Sequence, residues 1–214
     1  MNRGIATLLY LGLALAYLLF LGREPGWIGV LSKPLPVLLL ALLAWREAAP
    51  RWRTPLALAL VFSAIGDVLL AMNWLLGGYF TAGLASFLVA QLLYAACFWR
   101  ERSPSRARPW LAAAWIPLAA LLAWVLLPVT GDLAAPVGLY LLAISGMVTG
   151  AAIADRPLWL FAGALCFAFS DGAIAVDRFI APVRADTAVI MISYYLAQWL
   201  ICIAALQSPT ARRA

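Results

Sequence analysis

Of 214 residues, 66% are hydrophobic and only 11% are charged, more apolar surface than a soluble core of this size can bury, so lipid must be the solvent for most of the chain. Bases outnumber acids 15 to 9, but they sit in short loops between apolar runs, which points to membrane topology and away from nucleic acid. The complete absence of histidine excludes zinc hydrolases with His ligands, Ser-His-Asp triads and His-ligated haem.

Apolar windows long enough to span a bilayer fall at about 5–21, 27–45, 54–72, 79–99, 109–127, 134–153, 157–177 and 185–206. The first follows Arg3 and contains Ala14-Leu15-Ala16, which has the look of a signal peptide. Its apolar run continues through Leu21, so a retained helix is expected. The second carries Lys33 beside Pro34 and Pro36, which should interrupt the helix and free carbonyls. Asp67 lies in the third, Ser86 and Gln91 in the fourth. Asp171 lies in the seventh, with Arg178 near its end, and the eighth holds Tyr194, Tyr195 and Gln198. Cys97, Cys166 and Cys202 fall inside apolar runs without metal spacing and read as small buried hydrophobes.

The breaks between windows carry Gly, Pro and charge: Arg23-Glu24-Pro25-Gly26, Pro50 to Pro55, Gly77-Gly78, Ser103 to Pro109, Thr130-Gly131-Asp132, Asp155-Arg156-Pro157 and Pro182. None is long enough for a soluble domain. The expectation is one all-α integral membrane domain over residues 1–214, with eight transmembrane helices.

Orientation follows from the bases. Arg3, Arg46, Arg51, Arg53, Arg100, Arg102, Arg106, Arg108, Arg156, Arg212 and Arg213 lie on one side, and Arg23, Arg178 and Arg184 on the other. The positive-inside rule then puts both termini in the cytoplasm, in keeping with an even number of spans.

On that orientation Asp67 lies roughly 7–8 Å below the outer end of its helix, and Asp171 and Lys33 each roughly 9 Å below theirs. Three helices thus put an ionisable group in one layer. A charge inside a span is expensive, so such groups tend to face a cavity and pair. Asp67 and Asp171 have short side chains that cannot escape to water, which favours a functional reading. Lys33 can also snorkel to the interface. Single Ser, Gln or Tyr residues in a span are more often interhelical glue, and this weighs against Ser86, Gln91 and Gln198 touching a substrate. Arg178 sits at a helix end, where a solvated charge is ordinary and a lipid headgroup is within reach.

A short internal echo links SFLVAQLL (86–93) to SYYLAQWL (193–200), each preceded by an Asp-bearing span. It fits two pseudo-symmetric four-helix halves related by an axis normal to the membrane.

In order and spacing, SKPLPVLLLALLAW (32–45), FSAIGDVLL (62–70), GLASFLVAQLLY (83–94), GALCFAFSDGAIAVDRF (163–179) and SYYLAQWLI (193–201) resemble the YhhN family of membrane proteins, whose characterised members are lysoplasmalogenases. The resemblance implies an eight-span bundle with two intramembrane aspartates, matched here by Asp67 and Asp171, and a Lys-Pro motif matched by Lys33. It implies hydrolysis of the vinyl-ether bond of a lysoplasmalogen, giving a fatty aldehyde and a glycerophospho-base. It also implies a lysophospholipid substrate drawn from the bilayer, no cofactor, and residence in a bacterial cytoplasmic (inner) membrane.

The chemistry suits these residues. A vinyl ether opens when its β-carbon is protonated, which makes an oxocarbenium ion that water traps. One carboxyl can give the proton while a second steadies the cation and activates water, as paired carboxyls do in glycosidases. Asp67 and Asp171 are therefore the expected acid/base pair, with the division of roles open. Lys33 would hold one of them ionised or bind phosphate. Ser86, Gln91, Arg178, Tyr194, Tyr195 and Gln198 are the candidate substrate contacts.

Three other readings compete. A proton-coupled transporter also uses intramembrane Asp and Lys, but no inverted repeat is seen. An intramembrane aspartyl protease pairs two aspartates, yet Ala64-Ile65-Gly66-Asp67 lacks the first Gly of the G-x-G-D signature. A lysolipid-binding protein without catalysis would keep binding after Asp67→Asn. A hydrolase of the alkaline-ceramidase type needs His ligands for zinc and is excluded.

Overall fold

The computed structural model describes residues 3–20, 26–103, 107–181 and 186–207. Arg23, Arg106, Arg184, Arg212 and Arg213 of the orientation count, and the break at Pro182, lie outside the described residues. The described chain is helical, and its only β-type contact is one isolated bridge between Arg102 and Ala154. In chain order the helices are α1 (Arg3–Phe20), α2 (Trp27–Ser32), α3 (Leu35–Glu47), α4 (Pro50–Leu76), α5 (Phe80–Arg100), α6 (Pro109–Leu126), α7 (Ala134–Ile153), α8 (Leu158–Phe179) and α9 (Asp186–Leu206).

Among the described residues seven segments are long and apolar enough to cross a membrane, with α2 and α3 together making one of them, Trp27–Glu47. Within α1 the stretch Arg3–Leu19 is apolar but shorter. The seven therefore account for the second to eighth of the eight expected spans. Large apolar side chains such as Ile116 and Trp124 on α6 and Leu142 on α7 face outward, which suits a lipid solvent.

The break between α2 and α3 has a local cause. Pro34 and Pro36 have no N–H, so the carbonyls four residues back, on Val30 and Ser32, lose their helical donors. Lys33 (φ −53°, ψ −48°) and Pro34 (φ −77°, ψ −15°) stay in the right-handed region, so the hydrogen-bond ladder is interrupted while the chain keeps its direction.

α4 runs from Pro50 to Leu76 and overshoots the expected 54–72 at both ends. Two residues near its ends lie inside the helix. Pro55 lies inside the helix, in its second turn, where it leaves the Arg51 carbonyl without its helical donor. Asn73 belongs to the last turn, and its Oδ1 accepts the N–H groups of Tyr79 (3.1 Å) and Phe80 (3.0 Å), which caps the start of α5. Between them Gly77 and Gly78 take φ of 74° and 78°, a region that favours glycine.

The chain divides into two compact units, residues 1–93 and 94–214, with the boundary inside α5. In the first, α3 packs on α1 and α4, and α2 on α4. The buried stripe of α4 comprises Trp52, Leu56, Ala59, Leu60, Ser63, Asp67 and Leu70. The start of α5 closes on α4, with Ser86 Oγ donating to Phe62 O at 2.7 Å.

In the second unit α8 and α9 share the most extensive interface. Lipid supplies no hydrophobic drive between helices, so close approach needs small residues. Gly163 provides it: a Cβ there would lie 3.0 Å from Leu200 Cβ and 3.1 Å from Ala197 O. Near the ends of these helices Arg156, expected as a solvated loop base, is buried instead. It pairs with the equally buried Glu101 at 3.1 Å and donates to Gln207 O, tying the turn before α8 to the ends of α5 and α9.

Candidate active site

In the first unit the interrupted second span brings Lys33 to Asp67. Lys33 Nζ lies 3.7 Å from Asp67 Oδ1, and both residues are buried, Asp67 at 1% exposure. Lys33 therefore turns inward, and the alternative of snorkelling to an interface is not taken. The broken ladder explains how: the two prolines place Lys33 where α2 meets α3, and α2 packs directly on α4. Nine residues separate Asp67 from Leu76, about 13 Å along the helix, deeper than the expected 7–8 Å because α4 is longer than its apolar window.

Two residues that the sequence did not single out stand near this pair. Tyr17 of α1 is close enough to Asp67 to feel its charge. Ser63 lies one turn before Asp67 on the same stripe and is fully buried. The i, i+4 spacing of Ser63 and Asp67 was a usable signal. Ser86 bonds a backbone carbonyl of α4, the role of interhelical glue. Gln91 is fully buried on α5.

In the second unit Asp171 is half-buried and accepts a 2.5 Å hydrogen bond at Oδ2 from the Tyr140 hydroxyl of α7. Eight residues separate Asp171 from Phe179, about 12 Å. Tyr140 was missed because a lone tyrosine in an apolar helix carries no distinctive spacing. Gln198 is fully buried and accepts from Tyr94 Oη at 2.6 Å through Oε1. Tyr94 in turn packs against Phe98 and Phe167. Tyr194 meets Phe167 edge-on at 5.7 Å, and Tyr195 lies against Tyr194. These three expected contacts, Tyr194, Tyr195 and Gln198, are thus core residues of one aromatic cluster. Arg178 is exposed in the last turn of α8, where a cation complements the helix dipole.

The fold and these buried polar groups define an all-helical, multi-pass membrane protein with two carboxyls set in apolar helices, each held by a partner from another helix. The chain belongs to the YhhN family, whose sequence profile matches residues 28–205. It is 39% identical over 157 residues to a lysoplasmalogenase of Mycobacterium bovis, covering 71% of this chain and 59% of that protein. The chain thus spans less than two thirds of its mycobacterial relative. It is 36% identical over 201 residues to lysoplasmalogenase TMEM86A of Bos taurus, covering 86% of this chain and 81% of the relative. To lysoplasmalogenase TMEM86B of Homo sapiens it is 37% identical over 188 residues, with 87% and 79% covered. No solved structure matches the chain.

Proposed function

We propose that the protein is a lysoplasmalogenase. It hydrolyses the vinyl-ether bond of lysoplasmenylethanolamine or lysoplasmenylcholine to a fatty aldehyde and the glycerophospho-base. The observation that carries this reading is the likeness, over most of the chain, to relatives that are themselves named lysoplasmalogenases. Asp67 and Asp171, carboxyls set within apolar helices, support it, because protonating a vinyl carbon needs a positioned acid.

In this reading Asp67 and Asp171 are the acid/base pair. One carboxyl protonates the β-carbon, and the other stabilises the oxocarbenium ion and takes a proton from water. Lys33 fixes Asp67. Eight spans, two four-helix halves, a single membrane domain, cytoplasmic termini and a bacterial inner membrane complete the proposal. The substrate is a single-chain lipid taken from the outer leaflet.

The test is aldehyde release from lysoplasmenylethanolamine by purified protein in detergent, read through a coupled dehydrogenase. Wild type should release aldehyde, while Asp67→Asn and Asp171→Asn should each lower kcat by at least about a hundredfold, the order of effect expected when acid–base catalysis is removed. Silence from folded wild type would sink the vinyl-ether assignment and bring proton-coupled transport forward.

A further inference from the structure

Ser63 is fully buried, and among the described residues its Oγ has no hydrogen-bond partner. Four other serines in these helices satisfy theirs. Ser32 and Ser193 bond back to carbonyls of their own helix, at 2.6 Å to Ile28 O and 2.8 Å to Val189 O. Ser86 and Ser170 reach carbonyls of a neighbouring helix, Phe62 O and Ile190 O. A buried hydroxyl without a protein partner needs another polar group to complete it.

The position of Ser63 on α4 says which group. Ser63 and Asp67 are i and i+4 on the buried stripe, so their side chains lie one above the other. Side chains lean toward the N-terminus of their helix, which carries the Asp67 carboxyl back over Ser63. Lys33 approaches the same carboxyl at 3.7 Å. A hydroxyl, a carboxylate and an ammonium on adjoining helices are the two to four polar groups that hold a buried water.

We propose that Ser63 and Asp67 bind the water that hydrolyses the substrate. This rests on the vinyl-ether reading and deepens it, because it gives Asp67 the water-side role. The other carboxyl of the pair delivers its proton to the β-carbon, the vinyl π pair forms the new C–H bond, and the α-carbon becomes an oxocarbenium ion. A lone pair of the water forms the C–O bond while one water proton passes to Asp67. When the hemiacetal collapses, the original C–O bond breaks and the glycerol oxygen takes the proton from Asp67. The hemiacetal hydroxyl returns its proton to the other carboxylate. One water is consumed, one aldehyde and one alcohol form, and both carboxyls are restored. Ser63 is a positioning residue in this scheme.

The experiment has two arms. The first is an experimental structure of wild type at a resolution that shows ordered water. Density within hydrogen-bond range of Ser63 Oγ is expected, and it should vanish in Ser63→Ala. Its absence from wild type overturns the proposal while leaving the vinyl-ether reading intact. The second arm is turnover in mixed water and methanol, where methanol traps the oxocarbenium ion as a methyl acetal. Ser63→Ala should lose at least tenfold in kcat with KM within twofold, and its acetal-to-aldehyde ratio should rise. Its far-UV circular dichroism should match that of wild type, which separates lost turnover from lost fold. Wild-type kcat and an unchanged product ratio in Ser63→Ala would overturn the hydrolytic role. Bound water with no aldehyde from wild type would remove the vinyl-ether reading, and that role with it.

Discussion

Asp67 and Asp171 look alike in the sequence, and the structure gives them different surroundings. Asp67 is 1% exposed and faces the ammonium of Lys33. Asp171 is half-buried and is held by the neutral phenol of Tyr140. The backbones differ as well. Gly66, just before Asp67, lies directly under the Phe87 ring, whereas Gly172, just after Asp171, has open space where a Cβ would go. One carboxyl is embedded and compensated by a charge, and the other is more accessible and oriented by a hydrogen bond. Similar depth along a span therefore does not give two carboxyls the same chemistry. The partner helix decides it.

The largest effect should come from breaking the charged partnership. Lys33→Met deletes the ammonium beside a buried carboxylate, and removing one member of such a buried pair costs about 3–5 kcal/mol. The 3.7 Å separation puts the expectation at the lower end. The double variant Lys33→Met/Asp67→Asn should recover most of that loss, because it removes the stranded charge. Thermal unfolding in detergent checks both. If the single variant unfolds like wild type, Lys33 is not what compensates Asp67, and the contrast between the two sites weakens.

The glycines offer a second, smaller contrast. A Cβ on Gly66 would fall 2.6 Å from Cδ2 and Cε2 of Phe87, a ring that is itself buried. Gly66→Ala should therefore destabilise by about 1–3 kcal/mol, the usual range for overpacking. At Gly172 nothing lies within 4 Å, and alanine is the better helix former by about 0.8–1 kcal/mol. Gly172→Ala should raise the melting temperature slightly. Equal responses from the two variants would mean that the Asp67 site is no more tightly packed than the Asp171 site.

Much of this was legible along the chain because its causes are local. Pro34 and Pro36 break the second span wherever its neighbours lie, so the interruption beside Lys33 could be read directly. Lys33 and Asp67 belong to consecutive spans, so matching their depths anticipated the contact. Other features depend on tertiary context. Pro55 read as part of the break before α4 but lies inside the helix, and Asn73, just past the expected end, belongs to the last turn and caps the next helix. Arg156 read as a solvated loop base until Glu101 and the end of α9 enclosed it. Tyr140 lies 31 residues from Asp171, and nothing in its own helix marks it as the partner.

Tyr140 provides the finest test of the comparison. Tyr140→Phe keeps the ring and removes only the hydroxyl, so packing on α7 should survive. An intramolecular hydrogen bond contributes about 0.5–1.5 kcal/mol net, and the partial exposure of Asp171 argues for about 1. The stability loss should thus be smaller than for Lys33→Met. The kinetic effect should be the more telling one. If the phenol orients Asp171 for a step in the reaction, Tyr140→Phe lowers kcat and leaves KM near wild type, because the substrate still binds and only the reacting geometry suffers. A variant that loses stability but keeps kcat would make Tyr140 a structural tether and would leave Asp171 oriented by its own helix.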